Sequence, residues 1–338
     1  MSDRLAERTL IRRIRESTPA SAGVTIGIGD DCAVLEPAPG HRLLATTDLL
    51  LEDIHFRRRY AEPADVGWKS MAVNLSDIAA MGGRPRWALV ALACPHATAL
   101  DEVEAFYEGA RDLASRHAVA IVGGDTTASP AGWLINVTLL GEAVSPVLRS
   151  GARAGDVVAV TGPLGRSAAG LAILELASAP AGIDAAALAD VTAAHLRPIP
   201  RVAEGQWLGG AGGVSAMIDL SDGLASDLGH IAEESGVHCQ VEVERVPISA
   251  ATREVARALG ADARAWATGG GEDYELLLTC DPRGFDRLGD GLARATGTSL
   301  HAIGTVTGPG SGVTFVDGRG RAVAAAAGFE HFVTGTRR

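Results

Sequence analysis

Residues 214–231 read VSAMIDLSDGLASDLGHI. The opening VSAMID is an apolar run of strand length, and from Leu224 onward the apolar residues Leu224, Leu228 and Ile231 recur at helical spacing. The stretch therefore predicts a strand that turns into a helix, with Asp219, Ser221 and Asp222 at the turn. Working outward, the same alternation runs through the chain and reads as α/β or α+β. The first half shows RLLATTD (42–48), a helix over 66–81, WALVALAC (87–94), a helix over 100–116, AVAIVGGD (118–125) and WLINVTLLGEA (133–143). A loop of small and polar residues, 144–156, precedes the strand DVVAVTG (156–162), a glycine-broken turn and the helix SAAGLAILELA. Further on, HCQVEVERV and YELLLTC (274–280) read as strands, whereas the Ala-rich 178–190 reads as a flexible connection. With 338 residues, two domains are expected, divided as 1–148 and 149–338.

Composition narrows the function. Hydrophobic residues make up 47% of the chain and the net charge is −11, so the chain is globular and lacks the basic footprint of a nucleic-acid binder. Four cysteines without a CxxC pair suggest neither a zinc knuckle nor a disulfide framework. The charged start MSDRLAERTLIRRIRE has no apolar signal-peptide core, and no run is long enough to span a membrane, so a cytoplasmic protein is expected. Lys69 is the sole lysine, and it belongs to no GxxxxGK[ST] loop or kinase strand motif. It is expected on a solvated helix face.

Carboxylates recur where apolar runs stop: Asp30 and Asp31 in VTIGIGDDCAVL, Asp48 in LLATTDLL, Asp125 in IVGGDTT, Asp219 and Asp222 in MIDLSDGL, and Glu272 with Asp273 before YELLL. In WKSMAVNLSDIAAMGG, Met71, Leu75 and Ile78 form an apolar stripe, with Asn74 and Asp77 on the neighbouring face. Singly, each acid is explained by turn chemistry, and Ser221 and Asp222 by an N-cap. As a converging set they need protons or cations, because two unit charges about 4 Å apart repel by about 4 kcal/mol at an effective dielectric near 20. Oxygen donors without His/Cys groupings favour Mg²⁺, which joins carboxylates to phosphate oxygens. Glycine turns at GGDTT (123–127), TGPLGRS (161–167) and GGGED (269–273) could offer N–H groups to anions, and Arg149 could clasp a phosphate.

Together, GIGDDCAV, TTDLLLEDIHF, WKSMAVNLSDIAAMGG, GGDTT, RSGARAGD, IDLSDGLASDLGHI and GGGEDYEL resemble the thiamine-monophosphate kinase family, within the ATP-dependent enzymes related to aminoimidazole ribonucleotide synthetase. The resemblance implies a two-domain fold of that group. Its N-terminal domain would bind ATP and Mg²⁺ and pair into a barrel-like homodimer interface, and its C-terminal α/β domain would complete the site. It implies transfer of the γ-phosphoryl of ATP onto thiamine monophosphate, giving thiamine diphosphate. By the same resemblance Asp31, Thr46, Thr47, Asp48, Asp77, Asp125, Asp219 and Asp222 hold several Mg²⁺ ions. Tyr107, Gly124, Asp125, Arg149 and Ser221 contact ATP, and His55, Glu272 and Phe329 contact the thiamine phosphate. Asp30 adjoins a ligand position. No covalent nucleophile is implied. The alternatives are a relative with another acceptor and a non-catalytic nucleotide or thiamine-phosphate sensor. Residues 15–30 lack the Cys and Lys of selenophosphate synthetase, and the complete aspartate set favours an enzyme over a sensor.

Overall fold

The computed structural model describes residues 13, 14, 16, 21–26, 34–326 and 328. The chain forms two compact units, one of residues 1–78 and 83–145 and the other of residues 79–82 and 146–338.

In the first unit the alternation in RLLATTDLLL makes β3 (Arg42–Leu51), which follows a small hairpin of β1 (Val24–Ile26) and β2 (Val34–Leu35). β3 joins β4 (Arg84–Pro95), β5 (Ala120–Ser129) and β6 (Leu134–Ala143) in a sheet of order β3-β6-β4-β5. Only β4 and β5 run parallel, as a crossover through a helix permits. The unit's helices include α1 (Pro63–Ala80) and α2 (Leu100–Arg116). A Cβ on Gly67 or Gly109 would stand 1.9 Å from a backbone oxygen of the other helix, so these two glycines set the helix spacing.

The two faces of this sheet differ. Leu44, Leu50, Val90, Leu92, Ile135, Val137 and Leu139 are buried on one side. On the other, Leu43 (54%), Leu49 (46%), Leu89 (36%) and Leu134 (37%) are exposed. Isolated apolar residues at a surface are ordinary, but four on adjacent strands of one face form a patch.

The second unit carries a six-stranded sheet of order β12-β9-β11-β7-β10-β8. Its strands are β7 (Val157–Val160), β8 (Val214–Asp219), β9 (Val237–Glu242), β10 (Leu276–Cys280), β11 (His301–Pro309) and β12 (Gly312–Val316). Only the β9–β12 pair is parallel, so both sheets are mixed and the class is α+β. The helices are α3 (Arg166–Leu174), α4 (Ala185–Leu196), α5 (Val202–Ala211), α6 (Leu224–Ser235), α7 (Ala250–Leu259), α8 (Ala263–Gly269) and α9 (Phe285–Thr296). α4 replaces half of the connection expected over 178–190. The Asp184 carboxylate caps it by accepting from the N–H groups of Ala186 and Ala187, and Val191 is fully buried, so an alanine-rich run becomes a helix. No described helix is long and apolar enough to cross a membrane.

Gly109→Val forces two packed backbones apart and is expected to destabilise the protein by about 1–3 kcal/mol, read from the shift of the urea unfolding midpoint.

Candidate active site

In the first unit, α1 is buried from Val66 to Ala80 at every position except Asp77, which is half-buried. The Thr46 hydroxyl donates to the Asp77 carboxylate. Asp48 lies two residues along β3 on the same face as Thr46. One helical turn before Asp77, the Asn74 amide donates to the Ser70 carbonyl, while its Oδ1 is buried without a hydrogen-bond partner. A hydroxyl, two carboxylates and an orphaned amide oxygen are all hard oxygen donors, and they suit Mg²⁺ chemistry. Among the described residues, no three His, Cys, Asp or Glu side chains already form a closed cage. Asp30 and Asp31 lie outside the described residues.

Asp48 and Asp125 are not at strand ends as expected. They sit inside β3 and β5, whose ladders continue past them. Gly123 and Gly124 likewise belong to a strand rather than a turn, and Gly124 has φ +151° with room for a Cβ only 1.9 Å from the Val90 oxygen. Across the sheet, Leu49, Asn136, Ala91 and Asp125 form one row on the patch-bearing face. Thr47 shares that face, with its hydroxyl 3.0 Å from that of Thr138 and 3.2 Å from the Val137 carbonyl that it donates to. Thr47 and Asp125 are therefore on the opposite side of the sheet from Thr46, Asp48 and Asp77.

Tyr107 is buried on α2 beside Thr126, and burial pushes its phenol up to about 12 against the pull of the Thr126 hydrogen bond and Arg111. It also lines a cavity of about 680 Å³ together with Arg111, Asp101, Glu104 and Glu108. With Glu16 the wall holds four carboxylates against the two guanidinium groups of Arg13 and Arg111, which makes it a poor seat for a triphosphate on its own. At His55, Nδ1 accepts the Leu51 N–H at 3.0 Å, which places the proton of the neutral ring on Nε2. Lys69 is not on a solvated face: it is 3% exposed, and its Nζ lies 3.3 Å from the His55 carbonyl that it donates to.

In the second unit, Asp219 ends β8 and is buried, with Ser221 and Asp222 half-buried just beyond. Neither Ser221 nor Asp222 caps α6; its N-cap is Gly223, without a side-chain cap. The capping role falls to Asp227, whose Oδ2 accepts from the N–H groups of Asp222 (3.1 Å) and Gly223 (3.0 Å). Burial first, then the charges of Asp219 and Asp222, push the Asp227 carboxyl up to about 8.

The Arg149 side chain is exposed, and its loop is fixed by Ser235, whose hydroxyl donates to the Arg149 carbonyl and accepts from the N–H groups of Gly151 and Ala152. The turn before α3 does hold an anion, but an internal one: the N–H groups of Gly165 and Ser167 donate to the Asp273 carboxylate at 2.6 and 3.2 Å. Beside it, Glu272 is buried and its Oε2 lies 3.3 Å from His195 Nδ1. β10 begins only at Leu276, so Tyr274 and Glu275 precede the strand. Glu275 is a buried anchor that accepts both Nε and a terminal nitrogen of Arg201 at 2.7 and 2.5 Å and the Thr161 hydroxyl at 2.7 Å. Phe329 lies outside the described residues.

The profile of AIR synthase related protein, N-terminal domain, matches residues 29–143, and that of its C-terminal domain matches residues 153–317. The thiamine-monophosphate kinase of Escherichia coli O157:H7 is 37% identical over 332 residues, covering 97% of this chain and 98% of the relative. The chain belongs to the thiamine-monophosphate kinase family. The crystal structure of the Stenotrophomonas maltophilia K279a thiamine-monophosphate kinase superposes with TM-score 0.81 at 40% identity, covering 96% of this chain and 99% of that one. A second structure, AaThiL complexed with AMPPCP and TMP, has TM-score 0.77 at 34% identity and covers 97% of each chain.

Three site-shaping residues of this family member escaped the sequence: Asp227, His195 and Asp273 as an internal anion. Asp227 had a usable signal, a carboxylate on the first turn of a helix behind SDG. His195 had none, because its partners are far away in sequence.

Burial pushes the Asp273 carboxyl up to about 7, against the pull of the two N–H groups. A folded-state value above the unfolded one gives stability that is full below the unfolded value near 4 and is lost progressively as pH rises to about 7. The melting temperature is accordingly expected to fall between about pH 4 and 7, and Asp273→Asn to flatten that fall in a thermal scan across pH.

Proposed function

We propose that this chain transfers the γ-phosphoryl group of ATP to thiamine monophosphate, giving thiamine diphosphate and ADP. The observation that carries this is identity of 37% to a thiamine-monophosphate kinase along 97% of the chain, through both units. The acceptor phosphate has a second pKa near 6, so at neutral pH it is largely ionised and needs no general base. The chemical difficulty is approach: two anions must come within bonding distance in line.

In the first unit Thr46, Asp48 and Asp77 on one face of the sheet and Thr47 and Asp125 on the other, with Asp31, and in the second unit Asp219 and Asp222, are the residues that would hold several Mg²⁺ ions. When bound, Mg²⁺ supplies charge neutralisation for the phosphate oxygens. The chain's own groups orient the reactants. Tyr107 stays neutral, because burial holds its phenol near 12, and Gly124, Arg149 and Ser221 join it in contacting ATP. The exposed Arg149 guanidinium is suited to a bidentate phosphate contact. His55, with its proton on Nε2, offers a donor to the thiamine phosphate. Glu272 and Phe329 offer a carboxylate and an aromatic face to the thiazolium cation.

A cytoplasmic homodimer is part of the same proposal. The patch of Leu43, Leu49, Leu89 and Leu134 supports pairing through the open face of the first unit's sheet.

Incubation with ATP, Mg²⁺ and thiamine monophosphate, resolved by chromatography, is expected to yield thiamine diphosphate, and EDTA to abolish it. Nucleotide binding without that product would instead favour a relative with another acceptor. Asp77→Asn and Asp219→Asn are expected to fold normally by circular dichroism and to lose about 100-fold or more in kcat, the scale of a lost transition-state charge contact.

A further inference from the structure

Glu272 and Tyr274 both occupy the left-handed region, at φ +65° and +50°, and only the intervening Asp273 escapes it. Side chains other than glycine persist there only where the surroundings over-determine them. Here the backbone is pinned twice, by the Glu272 N–H to the Ser221 carbonyl at 2.8 Å and the Tyr274 N–H to the Leu220 carbonyl at 2.9 Å. Asp273 is held between them by the first turn of α3. The N–H groups of Glu272 and Tyr274 are thus both held, and what remains to be set is the direction of the Glu272 carboxylate.

His195 sets that direction. It is 3% exposed near the end of α4, with Nδ1 at 3.3 Å from Glu272 Oε2 and 3.0 Å from the hydroxyl of Ser167, itself 1% exposed. With Glu272 ionised, a proton on Nδ1 of His195 would be shared toward its Oε2, with the Ser167 hydroxyl beside the same nitrogen. The imidazole is brought there by helix packing: a Cβ on Gly170 of α3 would stand 2.0 Å from the Val191 carbonyl of α4. One turn from that crossing along each helix stand Ser167 and His195.

We infer that His195, seated against Ser167, is a positioning residue that aims the Glu272 carboxylate at the cationic portion of the acceptor substrate. The inference rests on the proposed phosphorylation of thiamine monophosphate and deepens it. His195 touches neither phosphate nor nucleotide in this scheme, so its loss weakens acceptor recognition and leaves ATP use alone.

Steady-state kinetics of the full-length chain test it. His195→Leu is expected to raise the KM for thiamine monophosphate about tenfold or more while the KM for ATP stays within about twofold. His195→Asn, whose amide N–H can stand where Nδ1–H stood, is expected to return that KM to within about threefold of the unmodified chain. His195→Gln keeps the bulk but carries its N–H to the Nε2 position, so it should behave like His195→Leu and serves if the leucine variant does not fold. In a Glu272→Gln background, His195→Leu should add less than about twofold, since the two act through one contact. A KM for thiamine monophosphate that is unchanged, that rises together with the KM for ATP, or that rises as much in the Glu272→Gln background overturns the inference. Absence of thiamine diphosphate from the unmodified chain overturns the underlying function as well, and is read in the same assay before any variant is compared.

Discussion

The carboxyl group of Asp227 is 1% exposed, and burial with the charges of Asp219 and Asp222 lifts it up to about 8. Crowded carboxylates of this kind persist with protons or with cations, because repulsion between like charges grows as water is excluded. The chain places such a group at the turn that joins a strand to a helix, where the carboxylates stand at the end of a rigid element and cannot spread apart. A net charge of −11 then ceases to conflict with phosphate chemistry. In the proposed reaction cations would stand between protein and phosphate, recruited by the protein's acidity.

Rigidity around this turn comes from a second set of buried ions. Glu275 takes a two-pronged contact from Arg201 and a hydroxyl from Thr161, and Asp273 takes the first turn of α3. Burying such groups is costly, and a well-packed apolar set could replace them with little loss of stability. Their value is directional: they hold Glu272 and Tyr274 at positive φ, in a conformation an apolar core would not enforce. Strain at Glu272 and the close approach at Gly170 lie in one neighbourhood, which links helix packing to the aim of one carboxylate.

Much of the fold was legible because hydrophobic period and strand or helix length agreed. The helix over 100–116 and the strand-turn-helix at 214–235 follow their apolar spacing directly. The strands around Asp48 and Asp125 were cut short, since glycine, threonine and aspartate break the alternation while the backbone ladder runs on. α4 was missed because alanine marks helix and linker alike, and only Asp184 and the buried Val191 tell them apart. Lys69 was misplaced because α1 has no solvated stripe, and an amphipathic pattern is uninformative in a helix buried nearly all round. The acids proposed for the site recur visibly at the ends of apolar runs. Which face each occupies was not legible, because Thr46 and Thr47 are neighbours in sequence and stand on opposite sides of a sheet.

The central claim is that the chain's own aspartates hold cations beyond the one that accompanies a nucleotide. Mn²⁺ in place of Mg²⁺, titrated into the protein with saturating ATP and counted by electron paramagnetic resonance, tests it most directly. More than one bound Mn²⁺ per chain, falling in Asp77→Asn and in Asp219→Asn, is the result this account predicts. A single bound ion, unchanged in both variants, would contradict it.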